Sequence, residues 1–326
     1  MIRVYATPMR TRFRGITHRS GVLLSHPRDP GRWAEFSPFF DYDDDYSARW
    51  LTAAVEALER DLPEARRDSV PVNVTVPAVD AQQAHRIAAS SGCTTAKVKV
   101  AEPGQRLADD EARLEAVRDA LGAGGAIRVD ANTGWSLEEA ARVLPILDRA
   151  AGGLQYAEQP VATVEEMAAL RRRIDVPIAA DESIRRSADP LAVRRLDAAD
   201  VAIIKVQPLG GLHAALDLVA DLGLPAVVSS ALESSVGIAL GVRLAAALDE
   251  CSHACGLATV RLFQADVTSE PLLPVGGALS VRDVRPDRVL AGHCLADADL
   301  TERWLTRLER VARIAGVDLD AFAEQS

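Results

Sequence analysis

The chain has 326 residues, 48% of them hydrophobic and 26% charged, which is enough apolar content to bury a core and excludes a disordered chain. Its net charge of -10 weighs against a nucleic-acid partner. The apolar runs are too short to span a bilayer and no charged-then-apolar leader opens the sequence, so a cytoplasmic protein with no membrane partner is expected.

Residues 1–70 read as an α+β unit. Ile2 to Ala6, Gly21 to Ser25 and Gly31 to Phe36 have strand-like content, and Arg10-Thr11-Arg12-Phe13-Arg14-Gly15 between the first two reads as a polar loop. The aromatic stretch Phe36-Ser37-Pro38-Phe39-Phe40-Asp41-Tyr42 follows neither a helical nor an alternating period. Such loops cover something or tuck against their own domain. Asp43-Asp44-Asp45 lacks EF-hand spacing and is expected to be solvated, ahead of a helix from Ser47 to Leu62 with Trp50, Ala54, Leu58 and Leu62 on one face.

From residue 71 to about 270 short apolar runs alternate with helical segments. The runs are Val72 to Val76, Ala96 to Val100, Ile127 to Asp130, Leu154 to Glu158, Pro177 to Ala180, Val201 to Val206, Ala226 to Ser229 and a weak Gly256 to Ala258. Seven or eight βα units of this kind predict a (β/α) barrel, and no glycine-rich phosphate fingerprint follows the first strand. Residues 271–326 are expected to form a loop region and a helix from 299 to 315 that packs back on the N-terminal unit. Cys93, Cys251, Cys255 and Cys294 form no CxxC pair. A zinc cluster of Cys251, His253, Cys255, His293 and Cys294 fits no familiar spacing, so buried free thiols are the simpler reading.

All but three of the 37 basic residues are arginine; the exceptions are Lys97, Lys99 and Lys205. Arginine stays protonated, whereas a lysine can be driven neutral by burial or a neighbouring cation and then accept a proton. Codon bias toward arginine is the plainer account. Lys97 and Lys99, two apart on a strand, share a face and are expected to lower each other's pKa. A barrel of this type keeps its active site at the C-terminal strand ends. There lie Lys99, Asp130, Glu158, Asp181 and Lys205, one on each of five consecutive units. Three acids meeting at one rim repel unless a cation binds between them, and all-oxygen ligation with open positions suits Mg²⁺, with Mn²⁺ the other ion such a site accommodates. The alternative for each acid alone is a helix cap or loop residue.

The motifs Lys97-Val98-Lys99, Arg128-Val129-Asp130-Ala131-Asn132, Glu158-Gln159-Pro160, Asp181-Glu182-Ser183 and Lys205 resemble those of the enolase superfamily, muconate-lactonising subgroup. Ser229-Ser230-Ala231-Leu232-Glu233-Ser234-Ser235-Val236-Gly237 and Leu262-Phe263-Gln264-Ala265-Asp266 are similar to the actinobacterial o-succinylbenzoate synthase family within it. The resemblance implies an α/β fold, a modified (β/α)7β TIM-type barrel with an α+β capping domain built from the N-terminal segment and the C-terminal tail. It further implies a small-molecule carboxylate substrate on a metal held by Asp130, Glu158 and Asp181, with Lys99 as base and Lys205 as the opposing protonated lysine. Substrate contacts are implied for Lys97, Arg128, Asn132, Ser229, Ser230, Ser234 and Ser235; for the serines, turn and helix-capping chemistry is the alternative. Lysines on both faces also suit an N-succinylamino acid racemase or related epimerase, and a barrel that binds metal and carboxylate without catalysis is a third reading. The sequence does not distinguish a monomer from a homo-oligomer.

Overall fold

The computed structural model describes residues 1–287 and 293–322. Three antiparallel strands open the chain: β1 (Ile2–Phe13), β2 (Ile16–His26) and β3 (Asp29–Phe36). The expected Arg10–Gly15 loop is instead the far end of the β1–β2 hairpin. Phe13 pairs with Ile16 across Arg14 and Gly15, both at positive φ, and two left-handed residues match the twist of the flanking strands. The alternation of Arg10, Thr11 and Arg12 is compatible with extension to the tip, so only two residues remain for the turn.

Helix α1 (Asp44–Glu59) begins three residues earlier than expected. Asp43 is its N-cap, accepting from the Tyr46 amide, and Asp44 and Asp45 occupy the positive first turn. The acidic run therefore starts a helix, with Asp43 and Asp45 exposed as expected and Asp44 half-buried. Trp50, Ala54 and Leu58 are buried along one face. The last helix, Ala298–Ala315, packs on α1 and β1. From it the buried Arg307 donates to the Phe39 and Tyr42 carbonyls at 3.0 and 2.7 Å, pinning the aromatic stretch.

After the short β4 (Ser69–Pro71) come seven parallel strands, each paired with the next: β5 (Val74–Val76), β6 (Thr95–Lys99), β7 (Ala126–Asp130), β8 (Leu154–Glu158), β9 (Ile178–Ala180), β10 (Val201–Ile204) and β11 (Ala226–Val228). Helices separate successive strands. Among them are α2 (Ala81–Ala89), α3 (Leu107–Leu121), α4 (Leu137–Ala151), α5 (Val164–Arg171) and two short pieces, α6 (Glu182–Arg185) and α7 (Ala192–Arg195), where a single helix over 188–196 was expected. Then follow α8 (Val206–Leu209), α9 (Leu212–Leu222) and, after β11, α10 (Ser235–Ala247). The weak eighth strand is reduced to two single-residue bridges. Cys255 pairs with Val72 and Gly256 with Ser229, and the hydrogen bonds Asn73 N–H to Cys255 O (3.0 Å) and Gly256 N–H to Val228 O (2.8 Å) close the sheet into a barrel. A short 3₁₀ helix, Ala258–Leu262, takes over immediately. Finally β12 (Ala278–Ser280) pairs with β4, which completes the labelling with Ala298–Ala315 as α11.

Strand period two sorts the barrel residues. Val98 and Val129 join the main apolar core, whereas Lys97, Lys99, Arg128, Asp130, Tyr156 and Glu158 share the opposite, inward face. All four cysteines are free thiols, with the Cys251 and Cys255 sulfurs 3.8 Å apart.

Candidate active site

A cavity of about 920 Å³ opens at the C-terminal ends of the strands. Its roof comes from the capping sheet: the hairpin tip with Phe13 and Arg14, and Phe39 and Tyr42 from the aromatic stretch. That stretch thus both tucks into its own unit and covers the barrel. The Lys99 ammonium lies 5.5 Å from the Phe13 ring.

The floor is a run of alternating charge. Lys97 Nζ donates to Asp130 at 2.9 Å and to Glu158 at 3.0 Å; Lys99 Nζ donates to Asp130 at 2.6 Å and also to Asn132. Across the barrel Lys205 Nζ lies 2.6 Å from one Asp181 oxygen and Arg185 Nε 2.9 Å from the other. Three strands, β7, β8 and β9, separate Lys99 from Lys205 in the sheet order, so the two ammonium groups approach from opposite sides. The three carboxylates are almost wholly buried.

Burial disfavours each of these charges, and the neighbours decide the outcome. At Asp130 burial is outweighed by Lys97 and Lys99, which hold the carboxyl far below its usual range. Asp181 is likewise held low against burial by Arg185 and Lys205. Burial and the adjacent Asp130 and Asp181 charges push Glu158 up to about 7. Lys97 departs from expectation: burial lowers it, but Asp130 and Glu158 more than compensate, and its pKa is raised. The pair of lysines does not make Lys97 a weaker cation because each stands against a carboxylate rather than against the other.

Of the remaining sequence candidates, Asn132, Ser229 and Ser230 line the cavity, and Ser230 Oγ is 2.8 Å from Thr259 Oγ1. Arg128, expected at the substrate, does not line the cavity. Two residues before Asp130 it faces inward as anticipated, but about 7 Å lower along the strand. There it is buried, donating to the Ala254 carbonyl and to Gln155 and stacking on Tyr156. Ser234 and Ser235, also expected at the substrate, are buried away from the cavity. Ser234 caps α10 and bonds Glu35, as the capping alternative has it, whereas the Ser235 hydroxyl bonds Asp266 and accepts from the Leu272 amide. Sequence reasoning missed Arg185. Its signal was the Asp181-Glu182-Ser183-Ile184-Arg185 spacing, which a helical turn converts into an ion pair. It also missed Gln159, whose side-chain carbonyl accepts from the Asp181 and Ser183 amides at 3.0 and 3.1 Å and so sets the end of β9.

The backbone just past three successive charged strand ends is left-handed: Ala101 after β6, Asn132 after β7 and Gln159 after β8 have φ of 59°, 44° and 38°. Strain of this kind persists only where surrounding structure over-determines it.

Beside the cavity, Glu233 is fully enclosed, and burial, then the nearby Glu35 carboxylate, push it up to about 7. A carboxyl whose pKa rises on folding binds more protons in the native state, so its contribution to stability falls as pH climbs from about 4.5 to about 7. Glu233→Gln is expected to remove that share of the fall, giving a flatter profile of Tm against pH across this window. A profile as steep as the parent's contradicts the assignment.

Family models match both parts of the chain: "Enolase N-terminal domain-like" over residues 4–58 and "Enolase C-terminal domain-like" over residues 79–286. An o-succinylbenzoate synthase of Thermobifida fusca is 60% identical over 282 residues, covering 86% of this chain and 87% of that protein. Another from Mycolicibacterium smegmatis is 51% identical over 308 residues, 94% of each. The chain belongs to the o-succinylbenzoate synthase family of the enolase superfamily. The fold agrees with this superfamily: the L-Ala-D/L-Glu epimerase of Bacillus subtilis superposes with a TM-score of 0.74 at 21% identity, over 88% of this chain and 96% of that one. The 2-chloromuconate cycloisomerase of Rhodococcus opacus does so with 0.73 at 24% identity, over 93% and 98%.

Enolase-superfamily enzymes use a divalent metal. Among the described residues no group of three acids, imidazoles or thiols converges closely enough to hold one; Lys97 stands between Asp130 and Glu158, and Lys205 and Arg185 flank Asp181. The donor chemistry nevertheless fits. Three buried carboxylates lie at the ends of consecutive strands, and burial together with the Asp130 and Asp181 charges raises Glu158, a cost that a hard cation relieves.

Proposed function

We propose that the protein is a hydro-lyase that converts 2-succinyl-6-hydroxy-2,4-cyclohexadiene-1-carboxylate into o-succinylbenzoate and water, a step of menaquinone biosynthesis. The observation that carries the reading is the placement of Lys99 and Lys205 on opposite sides of one cavity with three buried carboxylates between them. Identity to the curated synthases supports the substrate.

Asp130, Glu158 and Asp181 would hold the divalent ion, Mg²⁺ or in its place Mn²⁺, both suited to carboxylate oxygens. When bound, it supplies positive charge beside the substrate carboxylate as the neighbouring proton departs. Lys99, in its neutral form, removes the proton from the ring carbon that bears the carboxylate. It then returns that proton to the hydroxyl leaving the adjacent carbon on the same face. One C–H and one C–O bond break, one water forms, and the ring acquires its third double bond. Lys205 remains protonated and faces the ring from the other side, where its charge attracts the developing π-system. Lys97 keeps Asp130 and Glu158 in register. Asn132, Ser229 and Ser230 offer polar contacts to the substrate, and the hairpin tip with Phe13 excludes water above it.

The test is direct. The purified protein with Mg²⁺ is expected to dehydrate authentic cyclohexadiene substrate, followed by the absorbance change on aromatisation. No dehydration, together with racemisation of N-succinyl amino acids, assigns the paired lysines to racemase chemistry instead; binding of metal and o-succinylbenzoate with neither turnover leaves a non-catalytic barrel.

A further inference from the structure

Arg19 and Glu35 are among the buried charged residues outside the machinery just described. Arg19 on β2 and Glu35 on β3 belong to the capping sheet and are 2% and 3% exposed, yet among the described residues neither lies within ion-pair distance of an opposite side-chain charge. Each bonds within its own unit, Glu35 accepting from the Tyr5 and Ser37 hydroxyls at 2.6 Å and Arg19 donating to the Ser20 carbonyl at 3.0 Å and to the Ser37 carbonyl, and each also reaches the barrel segment between β11 and α10. Arg19 Nε donates to the Leu232 carbonyl at 2.9 Å and Nη2 to the Ala231 carbonyl at 3.3 Å, while the guanidinium stacks 4.4 Å from the Phe39 ring. Glu35 accepts from the Ser234 amide at 3.0 Å, from the Ser234 hydroxyl, and from the Gly237 amide at 3.2 Å.

The segment they grip is part of the cavity wall: Ser229, Ser230, Ala231 and Leu232 all line it. It is also strained, since Leu232 has φ of 65°, a region L-residues with a side chain avoid. Glu233 and Glu35 together crowd residue 237, where an added Cβ would lie 2.5 Å from Glu233 Cβ and 3.0 Å from the Glu35 carboxylate. A buried charge adds little to stability compared with a well-packed apolar residue, but a guanidinium fork and a carboxylate fix the direction of backbone carbonyls and amides in a way that packing does not. We propose that Arg19 and Glu35 are positioning residues of the capping sheet that hold the Ser229–Leu232 wall in the shape that binds substrate. The proposal deepens the dehydration reading and rests on it: the wall contributes binding, whereas Lys99 and Lys205 perform the proton transfers.

Kinetics and amide exchange of the full-length protein test it. Arg19→Gln is expected to raise KM about tenfold or more while kcat stays within about threefold, the signature of lost binding that is shared by ground and transition states. Arg19→Lys, which keeps the charge but not the fork, is expected to recover part of the loss. Ser234→Ala, a milder change at the Glu35 end, is expected to raise KM in the same direction by about threefold. Amide hydrogen exchange over residues 229–237 is expected to speed up in Arg19→Gln with protection of β6 to β10 unchanged. A folded Arg19→Gln variant with parental KM and parental exchange in 229–237 overturns the proposal, as does a fall in kcat at constant KM. Should Arg19→Gln not fold, Ser234→Ala decides alone, and an unchanged KM overturns it. A parent protein that does not dehydrate the cyclohexadiene substrate removes the function reading, and the proposal's catalytic consequence with it; unchanged exchange then refutes the clamp itself.

Discussion

Lys99→Arg is expected to reduce kcat by about 10³-fold or more, the scale on which a positioned general base contributes, while Mg²⁺ and o-succinylbenzoate still bind. Arginine matches the charge that Lys99 presents to Asp130 at 2.6 Å and so preserves the electrostatic balance of the floor. It cannot give up a proton at any accessible pH. The substitution therefore separates the two duties of the side chain, holding a carboxylate and accepting a proton. The measurement is steady-state turnover with calorimetric titration of product and metal on the same preparation. Full activity in Lys99→Arg removes Lys99 from the role of base, whereas loss of metal binding along with activity marks it as structural.

Removal of divalent ions is expected to abolish turnover in the parent protein, with recovery on addition of Mg²⁺. Glu158→Gln is expected to weaken Mg²⁺ binding by about 100-fold or more, by analogy with the losses that follow disruption of metal sites. Glu158 is the informative position because, among the described residues, Lys97 is the one cation at hydrogen-bonding distance from it, while Asp130 and Asp181 each have two such partners. Neutralising it leaves both of those pairs intact, so the fold is expected to survive and the loss to appear in the calorimeter. Turnover that persists in chelator, with no metal found by elemental analysis, defeats the three-carboxylate assignment.

The barrel and its charged rim were legible because each rim residue ends or follows an apolar run whose period and punctuation identify a strand. Lys99, Asp130 and Glu158 are the last residues of β6, β7 and β8. Depth within the barrel was not legible. Arg128 and Asp130 share a face, but alternation reports which way a side chain points and nothing about how far along the strand the cavity reaches. The cap was hardest to read, since the tip of a hairpin that hangs over another domain satisfies no local pattern: Phe13 looks like an isolated exposed aromatic until the barrel is beneath it. Ser234 and Ser235 show the converse. A serine run at the start of a helix matches both a binding loop and a cap, and the neighbours that decide, Glu35 and Asp266, are remote in sequence.

The capping unit is assembled from segments that precede and follow the barrel in the chain, with α11 seated on α1 and the Met1 amino group donating to the Phe322 carbonyl. The barrel strands, by contrast, each pair with the next one made. As the chain leaves the ribosome, the barrel's local pairings can therefore form progressively, while the cap must wait for α11 to emerge. The cavity gains its finished roof only once α11 has been made, so a product that stops before α11 would carry the acids and amines of the rim without the completed enclosure that keeps water from them.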